Sequence, residues 1–408
     1  MRSSRSGAAP GPVLRATALA GAAASASVVA SAAVSHGLHR PLGLVALSLL
    51  LAVAVAGRWT YPQLSPAAPA AVALMLAAIG SGGLVALADG AAWASSLHVG
   101  TAGAALAAAL VTAVAAFRGE PAPLGPWRDY VTLTKPRIMS LLLLTGAGGM
   151  FVGAHGRPSP GLLAVALTGL ALACGGASAL NHVLDADIDR LMGARTERRP
   201  VAAGRVPAPR ALEFGVVLSA LSFALLASAV NLLAAALALA GNLFYVVVYT
   251  RVLKRRTAQN IVVGGAAGAV PPLVGFAAAT GDLTLPALCL FLIVFLWTPP
   301  HFWALALLIR DHYARAGVPM LPVVRGERET TRQIVRYSIA LVAFTVAVGL
   351  WLGPLYTGAA LLLGAAFVVL AWRLRRDAGR RRAALLFHYS LAYLALLFVA
   401  AALDPLLV

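Results

Sequence analysis

The chain has 408 residues, 60% of them apolar and 11% charged, with a mean hydropathy of +0.85. A soluble domain carries about 25% charged residues, so an ordinary water-soluble protein and a disordered chain are both excluded. The formal net charge of +18 would suit a nucleic-acid partner or a membrane protein with basic loops, and where the charges sit decides between them.

In chain order, apolar stretches long enough for a spanning helix, about 20 residues, fall near 14–35, 41–57, 67–88 and 95–117. A Pro/Gly-containing link follows from Gly119 to Pro126. Nine further spans fall near 138–154, 161–182, 211–229, 232–250, 260–279, 284–308, 334–353, 355–372 and 384–403. The expected fold is therefore an all-α polytopic membrane protein of about 13 transmembrane helices. They divide into a four-helix N-terminal region, 1–125, and a nine-helix region, 126–408.

With the N-terminus on the cytoplasmic side, Arg40 and Arg157 fall outside and the other 30 of 32 Lys and Arg fall inside. That asymmetry is what the positive-inside rule requires of a bacterial-type cell membrane protein. It also removes the nucleic-acid reading, because the charge is shared among loops instead of lining one surface. Arg2 and Arg5 before the first apolar run also fit a signal peptide, but the length of the run and Arg15 beside it favour an anchor. Cys174 and Cys289 lie far apart in apolar stretches, which supports neither a disulfide framework nor a cysteine metal site. Pro271 and Pro272 inside a span predict a kink or a broken helix.

The 14 acidic residues avoid mid-membrane depth, which argues against a proton-relay transporter. Three stand together in Asn181-His-Val-Leu-Asp185-Ala-Asp187-Ile-Asp189. Asn181, Asp185 and Asp189 recur every four residues and so advance about 40° per step, lining one helical face. Oxygen ligands stacked this way suit Mg²⁺, which takes carboxylates together with substrate phosphate oxygens. Arg195, Arg198 and Arg199 follow at once, so the segment reads as a diphosphate site. The spacing alone is equally compatible with a solvated helix end balanced by arginines.

The stretch NHVLDADIDRLMGARTERRP resembles the first aspartate motif of the UbiA-type intramembrane prenyltransferases, in the longer form of the branch that farnesylates protoheme IX. Three other stretches resemble that branch in the same order. They are Thr134-Lys135-Pro136-Arg137, Lys254 to Asn260 followed by IVVGGAAGAVPPLVG, and Thr298-Pro-Pro-His301-Phe-Trp303 running on to Asp311-His-Tyr313. The likeness covers about 129–408. It departs from many superfamily members in the loop after the sixth helix of the region, where Tyr313 stands in place of a last aspartate; the heme branch shares this.

The resemblance implies transfer of a farnesyl group from farnesyl diphosphate to a vinyl group of heme b, with Mg²⁺ as cofactor. It makes Asn181, Asp185 and Asp189 the catalytic and metal-holding residues. Lys135, Arg137, Arg195, Arg199, Lys254, His301, Asp311 and Tyr313 become substrate-binding candidates, although the same basic residues also serve topology. The nearest rival is a relative acting on an aromatic or quinone precursor; a heme-handling assembly protein or transporter is a more distant one.

The first 125 residues exceed what such an enzyme needs. HRPLG, at His39, and LHVGTAG, at His98, weakly resemble the histidine helices of a half-domain of heme A synthase. The second and fourth spans run in the same direction, so His39 and His98 are expected at one outer depth, where they would ligate a heme from both sides. The alternative is a simple anchor. Heme A synthase or another heme-handling protein is the protein partner this reading implies.

Overall fold

The computed structural model describes residues 10–34, 36–59, 67–88, 92–117, 124–194 and 196–407. Among them thirteen long helices form, numbered here α1 to α13. The first four are α1 (Pro12–Val34), α2 (His36–Trp59), α3 (Ala67–Leu87) and α4 (Ala92–Ala116). The next are α5 (Pro136–Gly153), α6 (Pro160–Leu184), α7 (Ala208–Ala229), α8 (Leu232–Arg256) and α9 (Asn260–Thr280). The last are α10 (Leu285–Leu308), α11 (Gly326–Val348), α12 (Pro354–Arg376) and α13 (Arg380–Leu403). Proline in the first turn opens α5, α6, α7, α10 and α12, where its missing N–H would have had no partner anyway.

Among the described residues ten helices, from α4 onward, are long and apolar enough to cross a membrane. The stretches expected as the first three spans are helical, with shorter apolar runs at Leu42–Ala56 and Ala67–Gly82. Residues 119–123 of the expected link, and Arg195, lie outside the described residues; so does the side chain of His39.

The helices pack as two bundles. In the first, α1 packs on α2, α2 on α3, α3 on α4 and α4 on α1, around a core made largely of alanine with Leu50, Val53 and Met75. In the second, neighbours in sequence pack side by side from α5 through α13, and α13 returns to α5. The bundles meet where α4 lies on α7. A Cβ on Gly103 would come 2.6 Å from that of Ala224, so this seam exists because residue 103 has no side chain.

Of the two outcomes expected at Pro271 and Pro272, a break does not occur: α9 runs as one helix through both. Small residues of α5 let it pass at backbone distance: a Cβ on Gly149 would meet the Pro272 carbonyl oxygen at 2.2 Å. Neighbours thus hold the segment where its own hydrogen-bond ladder is interrupted.

Candidate functional site

The acidic segment is helical on both sides of Asp185 but is not one continuous helix. Helix α6 ends at Leu184, Asp185 caps it, and a short helix Ala186–Leu191 restarts at once. Asn181, Asp185 and Asp189 are all buried, at 3%, 1% and 1% exposure.

Cations from three distant segments converge on them. Lys135 Nζ donates to Asn181 Oδ1 at 2.8 Å, and Lys254 Nζ donates to Asp185 Oδ2 at 2.6 Å. Arg199 Nη1 donates to Asp189 Oδ1 at 2.7 Å. Asn181 Nδ2 in turn donates to Asp185 Oδ2 at 2.7 Å and Thr250 Oγ1 at 3.1 Å. Lys135 holds a left-handed backbone, φ 51°, immediately before Pro136. A non-glycine residue in that region costs energy, and here the strain delivers an ammonium group into the cluster.

Lys254 arrives through a π-helix, Phe244–Leu253, within α8. Thr250 Oγ1 donates to Tyr245 O, five residues back, at 2.8 Å. The wider turn alters the helical phase of everything after it, and π segments of this kind recur at functional sites.

The electrostatics are those of a partly neutralised anion trap. Burial pushes the Lys135 ammonium down to about 7; the Arg199 charge adds to the effect, while Asp185 opposes it. Burial raises the carboxyl of Asp189, and the Arg199 charge pulls the other way. Among the described residues each carboxylate keeps one buried oxygen without a partner, Oδ1 of Asp185 and Oδ2 of Asp189. Orphaned buried acceptors are costly unless something completes them. A hard divalent cation fits both oxygens. No cluster of three His, Cys, Asp or Glu side chains exists among the described residues, so carboxylates alone would leave coordination positions for water or substrate oxygens.

Of the other expected residues, His301 is buried on α10. Its Nδ1 shares a 2.7 Å hydrogen bond with Ser390 Oγ of α13. Its ring stacks between Trp297, at 4.2 Å, and Phe387, at 4.8 Å. Tyr313 packs with Ile188 and Met192, against the short helix that carries Asp189. Arg137 and Asp311 are exposed, and no hydrogen bond or ion pair joins them to the cluster among the described residues. His98 shares a 2.9 Å hydrogen bond from Nδ1 with Ala78 O, and its ring lies over Gly82, in the seam between α3 and α4.

Sequence reasoning missed Thr250, whose β-branched neighbourhood carries no sign of a π-turn. It also missed His312, whose Nδ1 meets Met192 O and ties the loop after α10 to the acidic segment. His182, next to Asn181, is 2% exposed, with neither ring nitrogen hydrogen-bonded.

Residues 142–398 match the UbiA prenyltransferase family. Protoheme IX farnesyltransferase 1 of Saccharopolyspora erythraea is 52% identical over 297 residues, covering 71% of this chain and 95% of its own. Protoheme IX farnesyltransferase of Symbiobacterium thermophilum is 54% identical over 282 residues, covering 68% and 94%. A UbiA homolog from Archaeoglobus fulgidus, solved with DMAPP and Mg²⁺, shares the fold with a TM-score of 0.51. It is 18% identical and covers 65% of this chain and 99% of that one.

Proposed function

The chain belongs to the UbiA prenyltransferase family, and from that premise we propose that it farnesylates protoheme IX. It is an integral membrane prenyltransferase whose substrates are farnesyl diphosphate and heme b and whose product is heme O. The observation that carries this reading is 52% identity across 95% of a curated protoheme IX farnesyltransferase. Membranes containing the chain, given heme b, Mg²⁺ and farnesyl diphosphate, should form heme O. Prenylation of a quinone precursor with none of heme b would favour the rival reading.

In the reaction, the C–O bond between the farnesyl carbon and the diphosphate breaks, and its electron pair leaves with diphosphate. The allylic cation forms a carbon–carbon bond with the terminal vinyl carbon of heme. Water adds to the resulting cation and loses one proton, leaving a hydroxyl.

Lys135, Lys254 and Arg199 would transfer from the protein oxygens they now hold to the departing diphosphate, which needs more positive charge than the substrate did. Asp185 and Asp189 are the residues that would hold Mg²⁺, with Asn181 sharing the Oδ1 lone pair that Lys135 leaves. When bound, the ion supplies Lewis-acid neutralisation of diphosphate charge. His301, whose two faces are covered by Trp297 and Phe387, is kept as a substrate-binding candidate through the ring edge that Ser390 holds. Arg137, Asp311 and Tyr313 are kept as substrate-binding candidates, and so is Arg195, on its place in the sequence motif alone.

We assign the N-terminus and the acidic site to the cytoplasmic side of the cell membrane, on the distribution of Lys and Arg. We propose the division into 1–125 and 126–408, which the grouping of helix contacts supports. For the first bundle we propose heme ligation by His39 and His98 and, with it, a working association with heme A synthase or another heme-handling protein.

A further inference from the structure

At the basic end of α12 and α13, well along the chain from the acidic motif, a cavity of about 410 Å³ is lined by Leu370, Arg373, Arg376, Arg382 and Leu385. We propose that this cavity binds an anionic phospholipid, with the phosphate among the arginines and the acyl chains along the leucines.

The lining is ordered by depth. On α12, Leu370, Arg373 and Arg376 follow one another at intervals of three, so they share a face. On α13, Arg382 and Leu385 do the same. Both helices are 23 or 24 residues long, about 35 Å at 1.5 Å per residue, which places their ends at headgroup level. Trp372, 46% exposed beside the arginines, is an interfacial marker at the same depth. Leu385, 54% exposed, points the deeper half of the cleft at hydrocarbon.

The arginines are arranged and not fully neutralised. Arg382 is held by Arg373 O at 2.9 Å and Asp377 Oδ2 at 3.2 Å. Arg376 lies 5.7 Å over the Trp372 ring. The guanidinium of Arg373 has no hydrogen bond or ion pair among the described residues. Residues 373–382 contain six arginines against the single Asp377. A fringe of snorkelling arginines spreads outward into the headgroups; these converge from two helices on one cleft. A phosphate-like anion on apolar tails matches both halves of that lining, and a bilayer phospholipid supplies it at headgroup depth. A free phosphate would use the basic half alone.

Occupancy has a route to His301, because α13 also carries Phe387 and Ser390, its stacking and hydrogen-bonding partners. The binding claim itself does not depend on which acceptor the enzyme prenylates.

The test is native mass spectrometry of the full chain released from nanodiscs of phosphatidylglycerol mixed with phosphatidylcholine. The wild-type chain should retain phosphatidylglycerol preferentially, and millimolar inorganic phosphate should not displace it. Arg373→Gln/Arg376→Gln/Arg382→Gln should weaken that preference by about tenfold or more, because one headgroup loses three converging charge-assisted donors. Arg251→Gln/Arg256→Gln/Arg328→Gln removes the same charge from exposed positions elsewhere and should keep the preference. Equal retention by the cavity variant, equal loss in the control variant, or displacement by inorganic phosphate each overturns the proposal.

Discussion

Asp187 and Asp189 are two residues apart and live in opposite environments. Asp187 is 61% exposed and pairs with Arg255 at 2.7 Å, whereas Asp189 is 1% exposed and pairs with Arg199 at the same distance. The hydrogen bond from Arg255 holds the Asp187 carboxyl down to about 2; burial drives that of Asp189 up. Asp189→Asn should therefore lower heme farnesylation on the order of 10² to 10³-fold and raise the Mg²⁺ concentration needed for half-maximal rate. Asp187→Asn, which removes an exposed ion pair worth little, should stay within about threefold. Equal losses in the two variants would sink the assignment of the buried face to metal and diphosphate.

Lys135 gives the site a pH dependence with a definite sign. With its ammonium pushed down to about 7, the residue is protonated below that pH and neutral above it. A diphosphate needs the charged form, so binding above pH 7 must take up a proton and must weaken as pH rises. Calorimetry with inorganic diphosphate and Mg²⁺ in buffers of different ionisation enthalpy measures that uptake. Lys135→Arg, which stays charged, should abolish it; an unchanged proton count in that variant refutes the role.

Topology is open to a chemical probe. In a background lacking Cys174 and Cys289, Arg256→Cys should resist an impermeant thiol reagent in intact cells and react after permeabilisation. Labelling from outside would invert the orientation assigned to every loop.

The N-terminal histidines predict a spectrum. If His39 and His98 ligate a heme, the purified full chain should show a low-spin bis-histidine absorption that His98→Ala removes. Farnesyl transfer should be largely retained in that variant, because the acidic cluster lies in the other bundle. A chain with no such absorption, isolated from heme-replete cells, leaves the first bundle as an anchor.

Helix positions were legible because apolar length and flanking arginines are linear properties of the chain; expected and observed boundaries mostly agree to within a few residues. The carboxylate face was legible because a four-residue repeat needs no tertiary knowledge. The partners were less so. Lys254 and Lys135 could be named as basic residues near motifs, but not which oxygen each would hold. Thr250 was invisible, since only the π-turn aims it at Asn181. At Pro271 and Pro272 the expected break was wrong for the opposite reason. A sequence displays the missing N–H groups but not the glycines of another helix that let α5 and α9 close together.

The seat of α4 on α7 has a consequence for traffic. An isoprenoid dissolved in a leaflet searches in two dimensions, so its target is the perimeter of the nine-helix bundle and not its surface. Protein already occupies the sector at Gly103 and Ala224, and no lipid-borne chain can enter there. Arrivals are confined to the remaining arc, which includes the flank where α12 and α13 face the bilayer.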